Sequence, residues 1–121
     1  MTDRELYDIA VAIAERAYAP YSRFLVGAAV LARDGRVFEG VNVENAAYPL
    51  GVCAEKSALT RAVTDGIRPG EIEAIAITAS PCGGCRQWLA EFGIDRVIYA
   101  RAGGEIVIAT PAELLPDTFE L

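Results

Sequence analysis

The sequence predicts an α/β fold of three layers, with a mixed five-stranded sheet between helices. Three observations carry this. Helix-period and strand-period segments alternate in the order helix, strand, strand, helix, strand, helix, strand, strand, helical turn. Two glycine-bearing turns, at Asp34-Gly35 and at Ala102-Gly103-Gly104, each sit between apolar runs and read as hairpins. The chain has 121 residues and is 53% hydrophobic, enough to build one core, so residues 1–121 are expected to form a single domain.

The elements follow in order. Over residues 4–18, Leu6, Ile9, Ala10, Ile13, Ala14 and Ala17 repeat at helical spacing, and Thr2 with Glu5 fits a capping box. Pro20 disfavours helix at Ala19 and is expected to end this segment. Strands are expected at 25–32 and 36–43, on either side of the Asp34-Gly35 turn. Pro49 and Gly51 punctuate the loop that follows. CAEKSALTRAVTDG is rich in helix formers, with Gly66 as its stop. Ile72 to Ile77 reads as a buried strand, and PCGGCRQWLAEFG as a helix ending at Gly93. Val97–Tyr99 and Ile106–Ile108 form the second hairpin, and Thr110-Pro111 opens a last helical turn. Strands two, three and four are separated by helices, which points to parallel neighbours, with each hairpin adding an antiparallel pair.

The net charge of −6 argues against a surface for polymeric nucleic acid, which needs clustered Lys and Arg, and against docking on anionic lipid. MTDRELYD is unlike a signal peptide, and no apolar run approaches the roughly 20 residues of a membrane span. A cytoplasmic location is the expectation. There, three cysteines are more readily free, catalytic or metal-bound than paired in disulfides.

Cys53 opens one expected helix, and Cys82 and Cys85 open another, one turn apart on one face. The positive end of a helix dipole favours thiolate. Taken alone, C-x-x-C serves a redox dithiol, half a zinc site, or neither. Three thiolates from two helix ends, in a chain without histidine, make three protein ligands and leave a zinc ion one open position. Glu55, two residues after Cys53, lies in a first turn, where side chains lean toward the helix end and can reach a proton beside such a site. C-A-E followed by P-C-x-x-C matches the signature of zinc nucleobase deaminases, in which the Glu is not a ligand.

PYSRFLVGAA at 20–29, GVNVENAAYPLGVCAE at 40–55, SPCGGCRQ at 80–87 and ELLPDTF at 113–119 cover most of the chain in one order. In these motifs the sequence resembles the small cytidine deaminases of pyrimidine salvage. The resemblance implies the cytidine deaminase-like fold and hydrolytic deamination of cytidine, and of 2′-deoxycytidine, to the uridine form and ammonia. It implies one Zn²⁺ per chain on Cys53, Cys82 and Cys85, with Glu55 as general acid and base. Asn42 and Glu44 would bind ribose hydroxyls, Phe24 would pack on the base, and the Ala54 backbone would position it. Ala46, Tyr48 and Phe119 correspond to positions that complete a neighbouring subunit's site in a homotetramer.

Zinc with three thiolates carries a net −1, which opposes acidifying a bound water. Lys56 and Arg86, close to the ligand helix starts, are the candidates to donate to the thiolates and relieve that charge. Lys56 stands where the resembled family usually has Arg, and the connection before Ser80 is shorter than in many of its members. Three other readings stay open: a thiol redox protein, a non-catalytic zinc domain, and a deaminase of another cytosine nucleoside, of the blasticidin type.

Overall fold

The computed structural model describes residues Met1–Leu121. Helix α1 (Asp3–Ala14) leads into strands β1 (Gly27–Ala32) and β2 (Val37–Val41). A 3₁₀ turn at Tyr48–Leu50 precedes α2 (Ala54–Thr64), β3 (Ile72–Ile77) and α3 (Gly83–Phe92). Strands β4 (Arg96–Ala100) and β5 (Ile106–Ala109) and the short α4 (Pro111–Leu114) complete the chain. The five strands form one sheet in the order β2-β1-β3-β4-β5. No helix is long and apolar enough to cross a membrane.

The two faces of the sheet are covered by different helices. Leu6 and Ala10 of α1 pack with Ala29, Leu31, Ala74, Ala76 and Ile98 on one face. Ala54, Ala58, Leu59 and Ala62 of α2, with Leu89 and Phe92 of α3, pack on Ala28, Val30, Ile75, Ile77 and Val97 of the other. The alternation of neighbouring residues between the two sets is the period-two geometry of a strand, and it makes the predicted three layers. Two glycines let helices press on backbone. A Cβ on Gly27 would lie 2.1 Å from the Ala10 carbonyl oxygen of α1, and one on Gly40 would lie 2.3 Å from the Ala58 nitrogen of α2.

The expected parallel run of strands two, three and four is corrected by the pairing. Strand β1 lies between β2 and β3 and pairs antiparallel with both, so β2 and β3 run the same way without being neighbours, and only β3 and β4 pair in parallel. Burial explains the order. Every residue of β1 is buried, so β1 needs a neighbour on each side, whereas β2 alternates half-buried and buried residues and tolerates the edge. The hairpins are as expected: Gly35 and Gly104 take positive φ, 95° and 90°, in their turns.

Helix α1 ends at Ala14, four residues short of the expected limit. The Thr2–Glu5 capping box is present. At the other end, Tyr18 donates its amide to the Asn42 carbonyl (3.0 Å) and accepts from the Glu44 amide (2.8 Å). The chain thus leaves the helix to bridge the end of β2, well before Pro20. This brings residues 21–26 alongside Asn42 and Glu44.

Candidate active site

Cys53 is the N-cap of α2, and Cys82 is the N-cap of α3. Both have extended backbone, with ψ of 156° and 170°, so each sulfur stands at the mouth of its helix. The Cys82 sulfur accepts from the Cys85 amide at 3.5 Å, which caps α3 and places Cys85 in its first turn. Short connections bring the helices to this point. Thr78 follows β3 directly and is pinned to β1 at both ends, its amide on the Gly27 carbonyl and its hydroxyl accepting from the Gly27 amide. The brief link before Ser80 is therefore a fixed one.

The three sulfurs lie within 4.8 Å of one another, and those of Cys53 and Cys82 are 3.7 Å apart. Two thiolates bound tetrahedrally at a zinc–sulfur distance of about 2.3 Å would be about 3.8 Å apart, so this chain's donors fit that ion. Their protonation tendencies differ. Burial pushes the Cys53 and Cys85 thiols up, Cys85 most strongly. Burial also opposes ionisation of Cys82, but the Cys85 amide and the neighbouring thiols outweigh it, and Cys82 comes out more acidic than an ordinary thiol.

Glu55 is the one buried charged residue of the chain, 4% exposed, in the first turn of α2. Burial raises its pKa above the usual carboxylate range, while its own backbone amide, the Cys85 thiol and Lys56 act in the opposite direction. A carboxyl raised by burial beside three clustered thiols is suited to holding a proton and passing it on.

Glu55 opens onto a cavity of about 760 Å³, within the size range of small-molecule sites. Phe24, Asn42, Glu44, Ala46, Tyr48, Cys53, Ala54 and Cys82 line it with Glu55. Cys85 is buried behind this wall. Asn42 accepts from the Val26 amide (2.8 Å) and donates to the Phe24 carbonyl (2.8 Å). Glu44 Oε1 accepts from the amides of Tyr21 (2.9 Å) and Ser22 (3.1 Å), and Oε2 accepts from the Ser22 hydroxyl. These bonds, led by that of the Ser22 hydroxyl, hold the Glu44 carboxyl below its usual range.

Besides Cys85, three expected residues lie outside the cavity wall. Phe119 sits in the C-terminal tail, 71% exposed. The Lys56 ammonium stands 6.0 Å from the centre of the Trp88 ring and 3.7 Å from where a Cβ on Gly84 would be, over the turn between Cys82 and Cys85. Arg86 donates to the carbonyls of Pro81 (2.9 Å) and Leu114 (3.1 Å) and to the Ser80 hydroxyl (3.4 Å). The sequence reading puts the donors of Lys56 and Arg86 on sulfur. In the structure those of Arg86 go to oxygen, and Lys56 makes no hydrogen bond to a thiol. Ser22 is the lining residue missed by sequence reasoning whose hydroxyl bonds Glu44. Its only signal was the Ser-x-Phe spacing of a serine turn, since its contact with Glu44 spans 22 residues.

A mixed sheet with helices on both faces, two helix ends converging three cysteines, and a buried glutamate at a small-molecule cavity define the class of zinc-dependent deaminases. Residues 1–101 match the family model described as the cytidine and deoxycytidylate deaminase zinc-binding region, and the chain belongs to that family. The cytidine deaminase of Sporosarcina psychrophila is 47% identical over 113 residues, covering 87% of this chain and 82% of that one. The crystal structure of cytidine deaminase from Burkholderia pseudomallei superposes with a TM-score of 0.92 at 44% identity, covering 98% of this chain and all of that one. That of Mycobacterium tuberculosis gives 0.84 at 37% identity over the full length of both.

Proposed function

We propose that this protein hydrolyses cytidine and 2′-deoxycytidine to uridine and 2′-deoxyuridine with release of ammonia, in salvage of pyrimidine nucleosides. The observation that carries this is Glu55, buried at the start of α2, two residues from Cys53 and facing the cavity. A non-catalytic zinc domain has no use for a buried carboxyl there, and a redox dithiol has no use for Cys53. Cys53, Cys82 and Cys85 would hold one zinc ion per chain, which when bound would make a water nucleophilic at neutral pH.

Glu55 takes a proton from the attacking water and places it on N3 of the cytosine ring, as the new C4–oxygen bond forms. It then passes the remaining hydroxyl proton to the exocyclic nitrogen. The C4–nitrogen bond breaks, ammonia leaves, and a C4 carbonyl remains. The backbone of Ala54 and the ring of Phe24 hold the base over this carboxyl.

The sugar is read by what Asn42 and Glu44 have left over. Asn42 has two amide hydrogens and uses one on Phe24, leaving one donor. Glu44 has about four lone-pair positions and fills three, leaving one acceptor on Oε2. One donor beside one acceptor suits one hydroxyl. Both proposed substrates carry 3′ and 5′ hydroxyls, and we assign this pair to the 3′ one, which is fixed directly on the sugar ring.

Three thiolates carry one more negative charge than a divalent ion cancels. The N-termini of α2 and α3 and the Lys56 ammonium draw that charge off the sulfurs. Arg86 contributes by holding the loop that carries Cys82. We place the protein in the cytoplasm as a homotetramer, in which the exposed tail aromatic Phe119 completes a neighbour's cavity while Tyr48, on the rim of its own, meets the adjoining chain.

The test pairs metal analysis with the ultraviolet change on cytidine deamination. The wild-type protein is expected to hold one zinc per chain and to convert cytidine. Glu55→Ala should keep the metal and lose at least about 10²–10⁴ in kcat. Full activity without Glu55, or a zinc-free protein that cycles a disulfide, overturns the proposal.

A further inference from the structure

We infer that Ser22 is a positioning residue that aligns Glu44 with Phe24 and thereby sets how strongly the site reads the sugar 3′ hydroxyl. The inference rests on the sugar-binding role proposed above for Glu44.

Serine has one proton to donate and two lone pairs. An ionised carboxylate only accepts, so the Ser22 proton points at Glu44 Oε2. A lone pair of Ser22 Oγ then accepts from the Phe24 amide at 3.0 Å. The direction of both bonds is fixed by chemistry alone. Ser22 therefore joins the residue proposed to hold the sugar to the residue proposed to hold the base.

The link belongs to a closed ring. Phe24 is held at its amide by Ser22 and at its carbonyl by Asn42 (2.8 Å). Asn42 and Glu44 extend from the same strand end, two residues apart, and Glu44 returns to Ser22. Between Ser22 and Phe24, Arg23 sits at φ 60°, in the left-handed region that a non-glycine residue seldom occupies. The bonds on either side keep it there. A strained residue fixed within a ring of substrate-facing groups is the expected construction of a site held ready for its ligand.

Ser22 also decides which part of Glu44 is free. Oε1 is filled by the Tyr21 and Ser22 amides. With the hydroxyl in place, Oε2 has one open position, in one direction. Without it, Oε2 has two, and the carboxylate can turn about its anchored oxygen. The cost should then fall on the substrate hydroxyl that needs that direction and spare a substrate without one.

The two probes are 2′-deoxycytidine and 2′,3′-dideoxycytidine, which differ only in the 3′ hydroxyl. Ser22→Ala is expected to lower kcat/KM for 2′-deoxycytidine about tenfold, mainly through KM, the scale of one lost hydrogen bond to a charged group. For 2′,3′-dideoxycytidine the change should stay under about twofold. Ser22→Thr keeps the hydroxyl and should restore the difference. Should Ser22→Ala fail to fold, Ser22→Cys keeps the size with a weak donor and carries the same comparison. An equal loss on both nucleosides, or no loss, overturns the inference. Glu44→Gln separates the two levels. If it leaves the ratio between the probes unchanged, the sugar-binding reading of Glu44 falls, and Ser22's role with it. If Glu44→Gln narrows the ratio and Ser22→Ala does not, only the role of Ser22 falls.

Discussion

The guanidinium of Arg86 donates to the carbonyl of Leu114 at 3.1 Å, tying the helix that carries Cys85 to the C-terminal turn α4. The same group holds the Pro81 carbonyl, next to Cys82. One side chain thus fastens the metal-ligand loop to the end of the chain. Arg86→Ala is expected to lower stability by about 1–3 kcal/mol, since it leaves part-buried carbonyls without a donor. It should also speed loss of zinc to a chelator. Denaturant unfolding and chelator-release kinetics check both. If Arg86 acted on sulfur directly, cobalt substitution would show shifted thiolate charge-transfer bands with unfolding unchanged.

The helices rest on glycines whose hydrogens face backbone. Gly40→Ala would drive a methyl group to 2.3 Å from the Ala58 nitrogen and 2.7 Å from the Ala54 carbonyl oxygen. Because the obstacle is helix backbone, α2 must lift, and Cys53 and Glu55 lift with it. The expected result is a loss of about 1–3 kcal/mol or more, with activity falling further than stability. Gly103→Ala, where nothing lies within 4 Å, is the control and should stay within about 0.5 kcal/mol. Thermal unfolding and kcat for the two variants give the comparison.

Removing the metal should expose thiols of unequal reactivity. Cys82 is exposed and its thiol is the acidified one, Cys53 is half-buried and raised, and Cys85 is buried and raised furthest. Thiolate is the species that alkylates. Iodoacetamide on chelator-treated protein is therefore expected to label Cys82 first, Cys53 next and Cys85 last, with all three protected before chelation. Peptide mass spectrometry over time reads the order. Uniform labelling of untreated protein would contradict a metal-held cluster.

Acid should weaken the fold through surface carboxylates. The Arg33 guanidinium holds Asp95 below its ordinary range, through bonds of 2.8 and 2.9 Å, and the Ser22 hydroxyl does the same for Glu44. A carboxylate with a depressed folded pKa contributes stability that is fully present above its unfolded value, about 4, and is lost as pH falls through the folded value. The melting temperature is expected to hold from neutral pH to about 5 and to fall below it. Asp95→Asn should be less stable than wild type at pH 7 and lose less on acidification, so that the two curves converge in acid. Curves that stay parallel would remove Asp95 from the account.

Much of the site was legible in the residues because it is written locally. The capping box of Thr2 and Glu5, the cap at Thr110 and the helix starts at Cys53 and Cys82 each depend on side chains within three or four positions of the backbone they serve. Once both starts were placed, two helix ends carrying thiols, with Glu55 in one first turn, followed from spacing alone. The order of strands could not follow. Which neighbour β1 takes is decided by burying all six of its residues on both faces, a property of the packed sheet and not of the segment. The early end of α1 has the same origin, since the amide of Tyr18 is satisfied by Asn42, 24 positions along the chain. So have the partners of Ser22 and Arg86, at separations of 22 and 28 residues. The sequence by itself determined the chemistry, by setting which side chains stand at which helix ends. Tertiary structure decided what those side chains touch, because a hydrogen bond across such distances exists only after the sheet has closed.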